Sequence, residues 1–252
     1  MGRAWKMDAY IAQFFLSFFG SSISQFDSKT MQPAWIISCV LLVIIFSLLL
    51  FRPTEKHVTC GSAIKLAHVE SGGKFYILSD ERQLQSGSGQ QLVTAIDNNR
   101  SPNGLWQVRE REGEQMCEAG TPVKCGDIIR LMHVTTGKNL HTHGIQSPLS
   151  AQHEVTGFGD GQGGGDSGDN WIVTCESSSY FSSGPQLWLR DEPIQFKSVD
   201  TSRYLGASST VKFTESNCGR SCPILHHLEV FGRKTGDKYT QWKADLGVYL
   251  SK

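Results

Sequence analysis

A ten-residue pattern occurs twice in this chain, 65 residues apart, and it limits the fold more than any other feature. Cys60-Gly61-Ser62-Ala63-Ile64-Lys65-Leu66-Ala67-His68-Val69 is answered by Cys125-Gly126-Asp127-Ile128-Ile129-Arg130-Leu131-Met132-His133-Val134. Trp106 and Trp171 recur at the same interval, and Ile194-Gln195-Phe196-Lys197-Ser198-Val199 keeps the hydrophobic frame of a third, weaker copy. Repetition on this scale signals a small structural unit that is stable only when its copies pack together.

Each copy opens on an alternating segment. Ile64, Leu66 and His68 share one face, as do Ile129, Leu131 and His133, while Lys65, Ala67, Arg130 and Met132 face the other way. Period two is the geometry of a half-buried strand. A turn follows at Ser71-Gly72-Gly73-Lys74, Thr136-Gly137-Lys138 or Thr201-Ser202-Arg203, and then a returning strand, a Gly/Ser/Gln-rich turn and a tryptophan strand around Trp106, Trp171 or Trp242. Four short strands per copy give twelve in all. One unit leaves its apolar side uncovered, so three must close around a pseudo-threefold axis. The expected fold is all-β, a β-trefoil over residues 58–252 with repeats at about 58–116, 117–178 and 185–252. The 26 glycines suit a fold with so many turns.

The chain before the repeats is of another kind. Trp35 to Phe51 is uncharged over 17 residues and lies between Pro33 and Pro53, which predicts one hydrophobic helix serving as a transmembrane or signal-anchor segment. Residues 1–34 read as a mostly flexible extension. No small-residue cleavage site follows Phe51, which favours an uncleaved anchor; a start at Met31 would instead give an ordinary export signal. Six cysteines lie beyond this segment, Cys60, Cys117, Cys125, Cys175, Cys218 and Cys222. They suit an oxidising compartment and three disulfides, and fifteen pairings are open. Cys218 and Cys222 read as a structural bond across a short loop, and the others flank the repeat boundaries. Asn99-Arg100-Ser101 is a glycosylation sequon, weakened by Pro102. Formal net charge is zero, which excludes a strongly electrostatic nucleic-acid partner.

Several motifs resemble a known family. The Cys-Gly openings, Thr136-Gly137-Lys138-Asn139-Leu140-His141-Thr142-His143, Ser147-Pro148-Leu149-Ser150 and Glu154-Val155-Thr156-Gly157-Phe158-Gly159 are similar to MIR repeats, above all those of the stromal cell-derived factor 2 family. The resemblance spans about residues 58–250 and extends to the MIR regions of protein O-mannosyltransferases and inositol trisphosphate receptors. It implies a β-trefoil and a noncatalytic quality-control accessory of the endoplasmic reticulum. The implied partners are a DnaJ-type co-chaperone, the luminal heat-shock chaperone and unfolded polypeptides. The C-terminus Val248-Tyr249-Leu250-Ser251-Lys252 lacks the family's retrieval signal. An endoplasmic reticulum membrane location through residues 35–51, with the C-terminal domain luminal, is therefore expected; secretion or the plasma membrane is the alternative.

No serine–histidine–acid set or phosphate loop is present in a recognisable context, so neither a catalytic residue nor a cofactor is assigned. His141 and His143, with His133 nearby, could offer three ligands to a metal. They read better as packing residues, because no carboxylate is obviously beside them. Asp160, Asp166 and Asp169, in a Gly-rich stretch, offer oxygens to a hard cation, but that stretch reads more simply as a surface insertion. No metal is assigned. Lys74, Lys138 and Arg203, in the repeated turns, are the candidate partner contacts. Tyr76, His141 and Tyr204, near the returning strands, are the candidate contacts for glycans, under the alternative of a glycan-binding or O-mannosylation accessory domain.

Overall fold

The computed structural model describes residues 57–83, 87–176 and 185–252. Twelve strands follow in order: β1 (Ala63–His68), β2 (Tyr76–Gln83), β3 (Gln91–Ile96), β4 (Trp106–Glu110), β5 (Ile128–His133), β6 (Asn139–Gln146), β7 (His153–Phe158), β8 (Trp171–Cys175), β9 (Ile194–Ser198), β10 (Tyr204–Lys212), β11 (Leu228–Arg233) and β12 (Trp242–Val248). Six of them close a barrel through the antiparallel pairs β1–β4, β4–β5, β5–β8, β8–β9, β9–β12 and β12–β1. The other six form three hairpins, which meet one another through β3–β7, β7–β11 and β11–β3. A six-stranded barrel capped by three hairpins is the β-trefoil that the repeats predict.

The threefold relation reaches single atoms. Val58 N–H donates to Trp188 C=O, Trp188 N–H to Val123 C=O, and Val123 N–H to Val58 C=O, each at 2.9–3.0 Å, which closes a ring of main-chain bonds across the three repeats. The indole N–H groups of Trp106, Trp171 and Trp242 donate to the carbonyls of Ile77, Leu140 and Leu205 in the hairpin of the same repeat. All three indoles are fully buried among Ile64, Leu66, Ile129, Leu131, Ile194 and Phe196. Each therefore joins barrel to hairpin by packing and satisfies its one polar atom as it does so.

The barrel strands are buried more than a half-buried reading allows. Lys65 and Arg130 point outward yet are only 8% and 7% exposed. Lys65 Nζ donates to the carbonyls of Asn99 and Ser101, Arg130 to the carbonyl of Gly163, and Gln195 Nε2 to Thr240 Oγ1 and the carbonyl of Asp237. These residues occupy matching places in the three repeats, and each holds the loop that precedes a tryptophan strand over the outside of the barrel. Gly73, Gly137 and Ser202 sit at one turn position, all with left-handed backbone. At Gly137 a side chain would also strike the carbonyl oxygen of Gly161, so glycine is required there on both counts.

The disulfides pair Cys60 with Cys117, Cys125 with Cys175, and Cys218 with Cys222. The first two each hold the Cys-Gly opening of a repeat, Cys60 to Cys117 in the segment after β4 and Cys125 to Cys175 at the end of β8. Repeat three has Arg190 in place of the first cysteine, and its guanidinium lies 3.5 Å from the ring centre of Tyr249.

The anchor helix expected at residues 35–51 lies outside the described residues, as does the extension at 1–34. Among the described residues no helix is long and apolar enough to cross a membrane. The membrane-anchor assignment, membrane contact through residues 35–51 and the endoplasmic reticulum membrane location built on it are withdrawn accordingly.

Candidate functional site

The repeats agree in the barrel and part company in the hairpin cap, and two sites arise there. The first is a polar chain in repeat two. His141 and His143 lie two apart on β6, with side chains on the same face. The His141 ring N–H at Nδ1 donates to Asp169 Oδ1 at 2.9 Å, His141 Nε2 lies 3.1 Å from His143 Nδ1, and the His143 N–H at Nε2 donates to Glu154 Oε2 at 2.8 Å. Both terminal carboxylates are buried. Asp169 is set in place by Asn139 Nδ2 and the Asp166 main-chain N–H, which both donate to its Oδ2. Burial alone pushes the Glu154 carboxyl up, but hydrogen bonds from His143 and from Ser88 outweigh it and hold the group below the usual carboxylate range.

Asp166 and Asp169 begin and end the capping box of a 3-10 turn, Ser167–Asp169. Asp237 and Thr240 form the same box ahead of Trp242. An acid three residues before a second polar residue was the available sequence signal for this arrangement. What the spacing does not show is that the turn sets Asp169 under His141, across a glycine-rich loop. Asp160 stands apart, with Oδ1 accepting from the N–H groups of Gln162 and Gly164. His133 is elsewhere too: its ring nitrogens meet Thr136 Oγ1 and the carbonyl of Asn103, and burial lowers its pKa. It is a packing residue, as is the equivalent His68, which lies against Trp242.

The second site belongs to the expanded loop of repeat three. Leu92, Phe213 and Ile224 form a small separate core, with Leu149, Cys218 and Cys222 packed on it. Above it lies a cleft of about 1210 Å³. Pro148, Leu149 and Pro223 line its apolar side, and Glu81, Arg82, Asn217 and Arg220 its polar side. The loop carrying Leu149 is fastened by the buried Glu229, which accepts from the main-chain N–H groups of Leu149 and Ser150. The disulfide Cys218–Cys222 and a short helix, Glu215–Cys218, shape the opposite wall. None of the proposed turn or strand contacts is in this lining.

Those contacts do not form one surface. Lys138, Arg203 and Phe75 are the equivalent residues, because their carbonyls accept from the N–H groups of His133, Ser198 and His68. Lys74 is exposed one position earlier, in a turn with two extra residues. Lys138 Nζ donates to the Gly159 carbonyl, so it fastens its own loop. Tyr76 and Tyr204 are equivalent to Asn139, and His141 lies two positions further along its strand. The Tyr76 hydroxyl donates to Asp245, and burial with that carboxylate raises its pKa to about 12. Tyr204 lies beside Lys197. Asn99 of the sequon is exposed just after β3.

Three such repeats make a MIR-repeat β-trefoil, and the MIR domain model matches residues 56–210. The Dictyostelium discoideum stromal cell-derived factor 2-like protein is 39% identical over 221 residues, 85% of this chain and 95% of that one. The crystal structure of the SDF2-like protein from Arabidopsis thaliana superposes with a TM-score of 0.66 at 34% identity, over 77% of this chain and 98% of that one. A Saccharomyces cerevisiae protein O-mannosyltransferase complex shares the fold, with a TM-score of 0.63 at 22% identity, over 79% of this chain and 27% of that one. The chain belongs to the stromal cell-derived factor 2 family. It is accordingly a noncatalytic protein of accessory type, consistent with a place in the secretory pathway.

Proposed function

We propose that this chain is a binding module of secretory-pathway quality control. It holds extended apolar segments of unfolded polypeptides in the repeat-three cleft and works with a DnaJ-type co-chaperone and the luminal heat-shock chaperone. The cleft carries the reading. Its floor of Leu92, Phe213 and Ile224 is apolar, and Glu81, Arg82 and Arg220 give its lining charges of both signs. An apolar floor with a mixed-charge rim takes aliphatic side chains in the centre and leaves peptide groups to polar neighbours, which is the usual division of labour in a binding surface. The partner class comes from the family.

The test is fluorescence anisotropy of a labelled, permanently unfolded model polypeptide titrated with the full-length chain. Saturable binding of the unfolded polypeptide, weak binding of its native form and at least tenfold loss in Leu149→Asp support the reading. Equal binding by wild type and Leu149→Asp, or none by either, overturns it.

A further inference from the structure

We propose that His141, Asp166 and Asp169 form a binding site for a divalent transition-metal ion of the zinc class. The three residues bring one ligand atom each to within 4.8 Å of the others. His141 Nδ1 is 3.5 Å from Asp166 Oδ1 and 2.9 Å from Asp169 Oδ1. Ligands about 2.1 Å from a tetrahedral zinc ion stand about 3.4 Å apart. The first pair already fits that spacing, and the second must open by about half an ångström.

The surroundings of these residues match what a metal-bound histidine requires. Asp169 Oδ2 is occupied by Asn139 and the Asp166 N–H, which leaves Oδ1 facing His141. The Asp166 side chain accepts the main-chain N–H of Gly168 at Oδ1 and that of Asp169 through the capping box, and it is half exposed, so its two oxygens keep lone pairs to spare. The far side of His141 continues through His143 to the buried Glu154. A histidine ligand is held and made more basic when its other nitrogen donates to a group that ends on a carboxylate.

The relay behind the ligand is the second argument. Asp169, His141, His143 and Glu154 follow one another in hydrogen-bond contact, so a cation on His141 Nδ1 leaves Nε2 to donate to His143 Nδ1 and His143 Nε2 to donate to Glu154. A cleft lined by His141, His143, Asp166, Gly168, Asp200 and Thr201 gives access and leaves a position for water. Three protein ligands and one open position is a common zinc arrangement. The sequence set metal aside because it put no carboxylate near the histidines, and the fold brings two. This inference stands apart from the polypeptide reading.

The experiment is calorimetric titration of zinc into the full-length chain after chelation and dialysis, with cobalt as the spectroscopic substitute. One zinc per chain is expected, with a tetrahedral cobalt absorption. Asp166→Asn keeps the cap oxygen and removes the charge, and it should weaken zinc binding at least tenfold with circular dichroism unchanged. His143→Gln should weaken it as well. Absence of stoichiometric binding, or binding that Asp166→Asn leaves unaltered, overturns the proposal.

Discussion

The barrel and the hairpin cap treat the three repeats in opposite ways. In the barrel, Trp106, Trp171 and Trp242 make the same hydrogen bond to the same place in each hairpin, and Val58, Val123 and Trp188 close one ring of main-chain bonds. In the cap, repeat two alone has the His141–His143 chain between buried acids, and repeat three alone has the disulfide loop that walls the cleft. Positions kept in register across the repeats serve the shared core. Positions that break the register are where this fold has room for binding groups.

Core substitutions test the first half of that contrast most severely. Trp171→Ala removes a fully buried side chain and leaves the Leu140 carbonyl without its donor; it should lower unfolding free energy by about 3–5 kcal/mol in urea titrations. A cost under about 1 kcal/mol would mean that the equivalent tryptophans are not the common support.

The disulfides give a smaller and graded effect. Replacing Cys125 and Cys175 by serine frees a connection across 50 residues, against 4 for Cys218 and Cys222. Chain entropy assigns about 4 kcal/mol to the first and about 2 to the second. Peptide mapping of the nonreduced protein checks the pairing, and denaturant midpoints check the order. The second pair should instead alter the cleft.

Acid separates the barrel strands of repeats one and two from that of repeat three. Burial lowers the pKa of His68 and His133, while Ser198 holds the matching position in repeat three. Below the unfolded histidine value of about 6.5, the unfolded chain binds these protons more readily than the folded one. Stability from these two sites is therefore present above that pH and is lost as pH falls through the lower folded values, by at most about 1.4 kcal/mol per pH unit for each. His133→Gln should remove one proton from that slope. An unchanged slope would place the acid sensitivity elsewhere.

The sequence shows the barrel well, because its information is local and repeated: alternation, tryptophans and Cys-Gly openings at one interval. The cap is less legible for physical reasons. Two extra residues in the Gly72-Gly73 turn make Phe75, not Lys74, the equivalent of Lys138 and Arg203, and spacing alone aligns the wrong pair. Asp169 reaches His141 across 28 residues of aperiodic glycine-rich chain, so no pattern announces the contact. The lysine and arginine that alternation puts in solvent, Lys65 and Arg130, are covered because loops fold over the barrel and need donors for their carbonyls. Six cysteines allow fifteen pairings, and topology had to choose among them.

The smallest expected change in stability belongs to the most informative substitution. Arg220 is exposed at the rim of the cleft, and Arg220→Glu should shift unfolding free energy by no more than about 0.5 kcal/mol. The deciding measurement is affinity capture with full-length wild type and with Leu149→Asp/Arg220→Glu, scored for the DnaJ-type co-chaperone and the luminal heat-shock chaperone. The account predicts that wild type captures both and that the double variant, folded and retaining its three disulfides, captures neither. Equal capture by the two proteins would contradict the placement of function in the repeat-three cleft.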